Sequence, residues 1–143
     1  MFGRARFCLM LAALGAGAAP AQPPSPASIP AELRPYAPSN LVGYFGALLM
    51  APAQPRPATR ELFIRHQAYV RRQFEAGVYH LAGPLTDGGP IQGIVIVSAP
   101  TREAALAIIS ADPMVLEGGF TVEMHPAIFP DLSAVRVEYP PAG

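Results

Sequence analysis

Past its first 21 residues the chain contains no cysteine, because the single cysteine is Cys8. Disulfides, thiol catalysis and thiolate metal sites are therefore excluded from the rest of the chain. An excess of one charge is also missing: ten basic residues balance ten acidic ones, and charged residues make up only 14% of the chain. A phosphate backbone is bound through a basic surface excess, so nucleic acid is excluded as a partner. No apolar run reaches the length of about 20 residues that crosses a bilayer, so no membrane span is expected. Histidine is scarce. His66, His80 and His125 show no recognisable ligand spacing, and neither a metal nor another cofactor is expected. The serines fall in turns, linkers and element ends, not at a nucleophile elbow. Asp87-Gly88-Gly89 is a turn and not a phosphate cradle, because no helix opens after it.

What is present is enough for one packed domain: 143 residues, 51% of them hydrophobic. Residues 1–21 read as a secretory signal. Arg4 and Arg6 form a positive start, Phe7 to Gly17 an apolar run, and Ala19-Pro20-Ala21 a cleavage site after small residues. Cys8 lies at the wrong end of the apolar run for a lipid anchor. The expected address is periplasmic or secreted. Much of the proline lies before Arg60, and residues 22–40 are rich in proline, alanine and serine, which predicts an extended tether without a core.

Leu41 to Met50 is apolar at alternate positions of both sets, as in a strand covered on two faces. Thr59 is placed to cap a helix from Arg60 to Ala76, with Gly77 as its stop. Phe63, His66, Val70 and Phe74 recur at spacings of three, four and four, which predicts a buried stripe containing His66. Arg65, Tyr69 and Arg72 are expected at the solvated surface or at a dimer rim. Val78 to Ala82 predicts a second strand ending at Gly83-Pro84, and Gln92 to Ser98 a third, again apolar on both faces. Thr101 caps a second helix on which Ala105, Ile108, Ile109 and Asp112 share a face, and Pro113 ends it. Phe120 to His125 alternates as a fourth strand. Residues 127–143 form a tail in which Ala134 to Tyr139 could add a short edge strand.

The order β-α-β-β-α-β is the split βαβ pattern of ferredoxin-like α+β folds, with both helices on one face of an antiparallel sheet. The other face would be open, yet the first and third strands are apolar on both sides. A second copy of the chain is the expected cover, in a homodimer packed sheet to sheet.

Several pieces, in order and spacing, resemble the YCII-related domain family over about Leu41 to Pro126. They are Arg65-His66-Gln67-Ala68-Tyr69-Val70, then Gly77-Val78-Tyr79-His80-Leu81-Ala82-Gly83-Pro84-Leu85-Thr86-Asp87, then Glu103-Ala104-Ala105, then Ala111-Asp112-Pro113-Met114-Val115-Leu116-Glu117-Gly118. The resemblance implies a dimeric α+β barrel in residues 41–126, with a histidine–aspartate pair, carried onto His66 and Asp112, as its active site. It also implies a small organic ligand, with lyase-type dehydrohalogenation of an aromatic ring known in the family. His80, Gly83 and Pro84 are the positions expected to bind substrate. The leader and the tail beyond Pro126 depart from the family pattern.

His66 suits proton transfer near neutrality, since a free histidine titrates near pH 6.5. Asp112 could accept a hydrogen bond from one ring nitrogen and leave the other as general base or acid. The sequence thus supports a lyase- or isomerase-type catalyst, or a binding or dimerisation module of the cell envelope that uses the same cleft without chemistry.

Overall fold

The structure is a computed structural model that describes residues 20–141. The leader expected over residues 1–21 lies outside the described residues except for its last two. Among the described residues, no helix is long and apolar enough to cross a membrane.

Four strands, β1 (Leu41–Met50), β2 (Tyr79–Pro84), β3 (Ile91–Val97) and β4 (Thr121–Pro130), form one antiparallel sheet in the order β2-β3-β1-β4. With helices α1 (Arg60–Glu75), α2 (Arg102–Ser110) and the single turn α3 (Pro113–Leu116), this is a ferredoxin-like α+β fold. The helix starts follow their caps. The Thr59 hydroxyl accepts from the Leu62 N–H and the Thr101 hydroxyl from the Ala104 N–H, both at 3.1 Å. Gly77, at φ 68°, takes the left-handed turn that releases the chain from α1 into β2.

One face of the sheet is the core. Phe45, Ala47 and Leu49 of β1, Val95 and Val97 of β3, Tyr79 of β2 and Met124 of β4 pack with Tyr69 of α1 and with Ala105 and Ile109 of α2. Phe45, Val97, Ala105 and Ile109 are essentially inaccessible, and full burial of a large aliphatic or aromatic side chain stabilises by roughly 1.5–3 kcal/mol.

The core corrects the expected stripe on α1. Leu62 and Tyr69 are its buried residues, whereas Phe63 is 52% exposed. Leu62, His66 and Tyr69 recur at i, i+4, i+7, so the buried line runs one residue to the side of the expected one and keeps His66 in it. Tyr69, expected at the surface, is a core residue whose hydroxyl donates to the Ile108 carbonyl at 2.6 Å. Arg65 and Arg72 do reach outwards, and the Arg72 guanidinium lies 5.6 Å from the centre of the Tyr69 ring.

The ends of the chain differ from expectation in three ways. β4 does not stop before Pro126 but continues to Pro130, with Pro126 opposite Phe45. An edge strand tolerates the missing N–H of a proline, and β4 is one. Ala134 to Tyr139 forms no strand. The tail instead passes over the helix-free face, where the Leu132 N–H donates to the Tyr44 hydroxyl at 2.9 Å, and reaches Tyr139 beneath the Arg71 guanidinium at 4.8 Å. Finally, residues 22–40 do not form a bare tether. They contain two 3-10 turns, Pro26–Ser28 and Arg34–Tyr36, and the Arg34 guanidinium binds the carbonyls of Ile29 and Ala27 at 3.0 and 2.8 Å. This segment lies against β1 at Gly43, where a Cβ would come 1.8 Å from the Pro24 carbonyl oxygen.

The face away from the helices carries Val42, Tyr44, Gly46 and Leu48 of β1, Ile94 and Ile96 of β3, Leu81 of β2, and Ala127 and Phe129 of β4. Tyr44 is buried in the single chain, while Val42, Leu81 and Phe129 stay partly exposed.

The close approach at Gly43 makes a direct prediction. Gly43→Ala forces residues 22–40 off β1, because no rotamer change can relieve a clash with backbone. Limited proteolysis of the variant should cut within residues 22–40 much faster than in the parent chain, with α1, α2 and the sheet still protected. Equal protection of that segment in both proteins would show that it does not dock.

Candidate functional site

The chemistry collects where α1 passes the junction of α2 and α3. His66 lies near the middle of α1 on its buried line. Asp112 lies just past the end of α2, and Pro113 holds it in extended backbone with φ −63° and ψ 128°. The expected helix end is therefore sharper than the sequence alone implies: α2 closes at Ser110, and Asp112 caps a new turn. Its Oδ1 accepts the Met114 N–H at 2.8 Å.

That cap aims the carboxylate at α1. Both oxygens of Asp112 lie 2.8 Å from Nδ1 of His66. The residue is 4% exposed, and burial of a carboxylate without partners would be costly. Here it has two donors, the imidazole and the Met114 amide. A carboxylate only accepts, so neutral His66 must carry its proton on Nδ1, and its Nε2 is then an unprotonated base. Nε2 makes no hydrogen bond to any described residue.

His66 and Asp112 both line a cavity of about 320 Å³ between α1 and the helix-facing side of the sheet. Its floor includes Leu49, Val95, Ala82 and Tyr79, and Ile109 and Met114 close it from the α2–α3 side. Phe63 and Phe120 flank the imidazole, with ring centres 6.2 and 6.5 Å away. Outside the cavity wall, Arg65 of α1 is paired with Glu117 just after α3. The pocket is a small apolar chamber containing one oriented imidazole, the form of a ligand site.

Of the positions expected from sequence, His66, Asp112, Gly83 and Pro84 come together around this cavity. His80 does not join them. A register shift between Tyr79 and Leu81 breaks the alternation of β2, so Tyr79 and Ala82 both face inwards while His80 faces the other side, where its Nε2 lies 2.7 Å from the Ser98 hydroxyl and its ring stands edge-on to Tyr44 at 5.1 Å. Tyr79, turned inwards, is the site residue that sequence reasoning missed. It is 3% exposed. Burial, followed by the nearby Tyr69 and Asp112, holds its phenol well above the ordinary tyrosine range, so it remains neutral. Strict alternation from Ala82 would put His80 inwards and Tyr79 outwards, so residue order carries no signal for Tyr79. Gln92 also lines the cavity, but its amide is committed to the Gly89 carbonyl at 2.6 Å. Among the described residues, no group of three or more histidine, cysteine or acidic side chains could hold a metal ion.

Comparison with known proteins places this geometry. Residues 46–125 match the family model described as the YCII-related domain, and the match runs from Gly46 on β1 to His125 on β4. It therefore contains His66, Asp112 and the whole wall of the cavity. No curated protein sequence matches the chain. The family match spans more than half of the chain, and the chain belongs to the YCII-related domain family.

Proposed function

We propose that the chain is a small-molecule enzyme in which His66 moves a proton as general base and acid, in a lyase- or isomerase-type reaction. One observation carries the reading: a buried carboxylate holds Nδ1 of His66 at 2.8 Å while the same imidazole lines an open, apolar cavity. In the forward step Nε2 takes a proton from a substrate carbon. The Asp112 carboxylate stabilises the imidazolium that results. The electron pair left on carbon then expels a leaving group, which departs with the electrons of its own bond, or the proton returns to a different carbon and the double bond shifts. Asp112 is a positioning residue in this scheme, because it acts through the imidazole.

The functional unit in this reading is a homodimer. The partly exposed Val42, Leu81 and Phe129 on the helix-free face support it, as does the apolar character of β1 and β3 on both sides. The N-terminal leader supports export, with the working protein in the periplasm or outside the cell.

Incubation of the purified protein with a metabolite extract, followed by untargeted mass spectrometry, should reveal a compound that is consumed. His66→Gln should slow that conversion by about 100-fold or more, the usual contribution of a general base. Asp112→Asn can donate to Nδ1 and so reverse the tautomer, and it should lose about 10- to 100-fold. Undiminished turnover in folded His66→Gln would remove His66 from the chemistry.

Gel filtration with light scattering at micromolar concentration should give twice the chain mass for the processed protein, and Leu48→Asp on the open face should reduce it to one. A wild-type mass of a single chain would contradict the dimer.

A further inference from the structure

The cavity has no cation in its wall. The ten basic residues of the chain are all arginines, and none of the described ones lines the cavity. Of the two α1 arginines flanking the His66 turn, Arg65 is paired with Glu117 and Arg72 lies over the Tyr69 ring. The one fixed charge inside is the Asp112 carboxylate. A ligand carboxylate or phosphate placed there would be desolvated beside a like charge with no arginine or lysine to receive it, which is strongly unfavourable.

Among the buried side chains of the cavity wall, one donor lacks an acceptor; Gln67, also in the wall, is exposed. The Tyr79 hydroxyl makes no hydrogen bond to any described residue, although the ring is almost fully buried. Tyr69 differs, since its hydroxyl is committed to the Ile108 carbonyl. A buried phenol normally finds a partner. Because Gln92 is bound to Gly89 and Asp112 to His66, Tyr79 is the uncommitted neutral donor that the sheet offers to a guest. Size adds a limit. An apolar cavity of roughly 150 Å³ holds a benzene molecule, and this one is about 320 Å³.

We propose that the cavity binds a small uncharged molecule, of about a dozen non-hydrogen atoms, whose single carbonyl or hydroxyl oxygen accepts the Tyr79 hydroxyl. The inference rests on the acid–base reading only for the step after binding, in which the carbon beside that oxygen is presented to His66. Tyr79 thereby selects the ligand. As a donor to the oxygen on which negative charge develops when the neighbouring carbon loses a proton, it also assists the reaction.

Binding to the full-length chain can be measured by ligand-observed NMR with four probes of similar ring size: cyclohexanone, benzene, cyclohexanecarboxylate and cyclohexyl phosphate. Wild type should bind cyclohexanone at least 10-fold more tightly than either anion. Tyr79→Phe keeps the ring and removes only the hydroxyl. It should weaken cyclohexanone about 5- to 10-fold, the worth of one neutral hydrogen bond, and leave benzene unchanged. Anions that bind as well as the ketone, no binding of the ketone to wild type, or equal losses for ketone and benzene in Tyr79→Phe would each overturn the proposal. His66→Gln separates the two readings. If it keeps both metabolite turnover and the ketone preference, the acid–base role falls and the ligand class stands.

Discussion

The interaction on which the structure depends is the short link between the His66 imidazole and the Asp112 carboxylate. It ties the middle of α1 to the junction of α2 and α3 across 46 residues of chain. Beside the pair, the space between α1 and the inner faces of β2 and β3 is a chamber that side chains do not close. Removing one partner of such a buried pair is strongly destabilising, because the other is left without its complement, whereas the intact pair adds little net stability over an apolar replacement. On those terms the pair adds little to folding, which fits the proton-transfer role proposed for it.

The backbone around the pair is arranged for it. Asp112 satisfies the Met114 amide, and Pro113, which has no amide hydrogen to satisfy, occupies the first position of the new turn. The local cap alone therefore orients the carboxylate. Tyr69 and Tyr79 approach the same corner from α1 and β2, one committed to a backbone carbonyl and one left open to the cavity. The corner therefore combines a fixed anion, an oriented base and a neutral phenol within an otherwise apolar wall.

Much of this is legible in residue order because the signals are local. The bounds of β1 follow from its two-sided apolar run, the helix starts from Thr59 and Thr101, and the end of α2 from Asp112-Pro113. The features that residue order misses have physical causes. On α1 the spacings three and four describe two neighbouring lines equally well, one through Phe63 and one through Leu62 and Tyr69, and only the packing against Val97 and Ile109 chooses between them. The placement of His80 in the pocket fails because a register shift between Tyr79 and Leu81 breaks the alternation of β2, so Tyr79 and Ala82 share the inner face opposite Val97 and Val95, and residue order does not show that shift. Pro126 reads as a stop because the sequence does not show that β4 is an edge strand. The docking of residues 22–40 depends on contact between Pro24 and Gly43, for which the intervening residues carry no sign.

The central claim is that Asp112 fixes neutral His66 with its proton on Nδ1 and a free lone pair on Nε2. Nitrogen-15 NMR of the imidazole tests it most directly, through long-range correlations between the ring nitrogens and carbon-bound protons at a pH where His66 is neutral. The account predicts an amine-like Nδ1, still carrying its proton, and an imine-like Nε2, with the pattern lost in Asp112→Ala. A proton on Nε2, or the averaged pattern of a free imidazole in the wild-type protein, would contradict it.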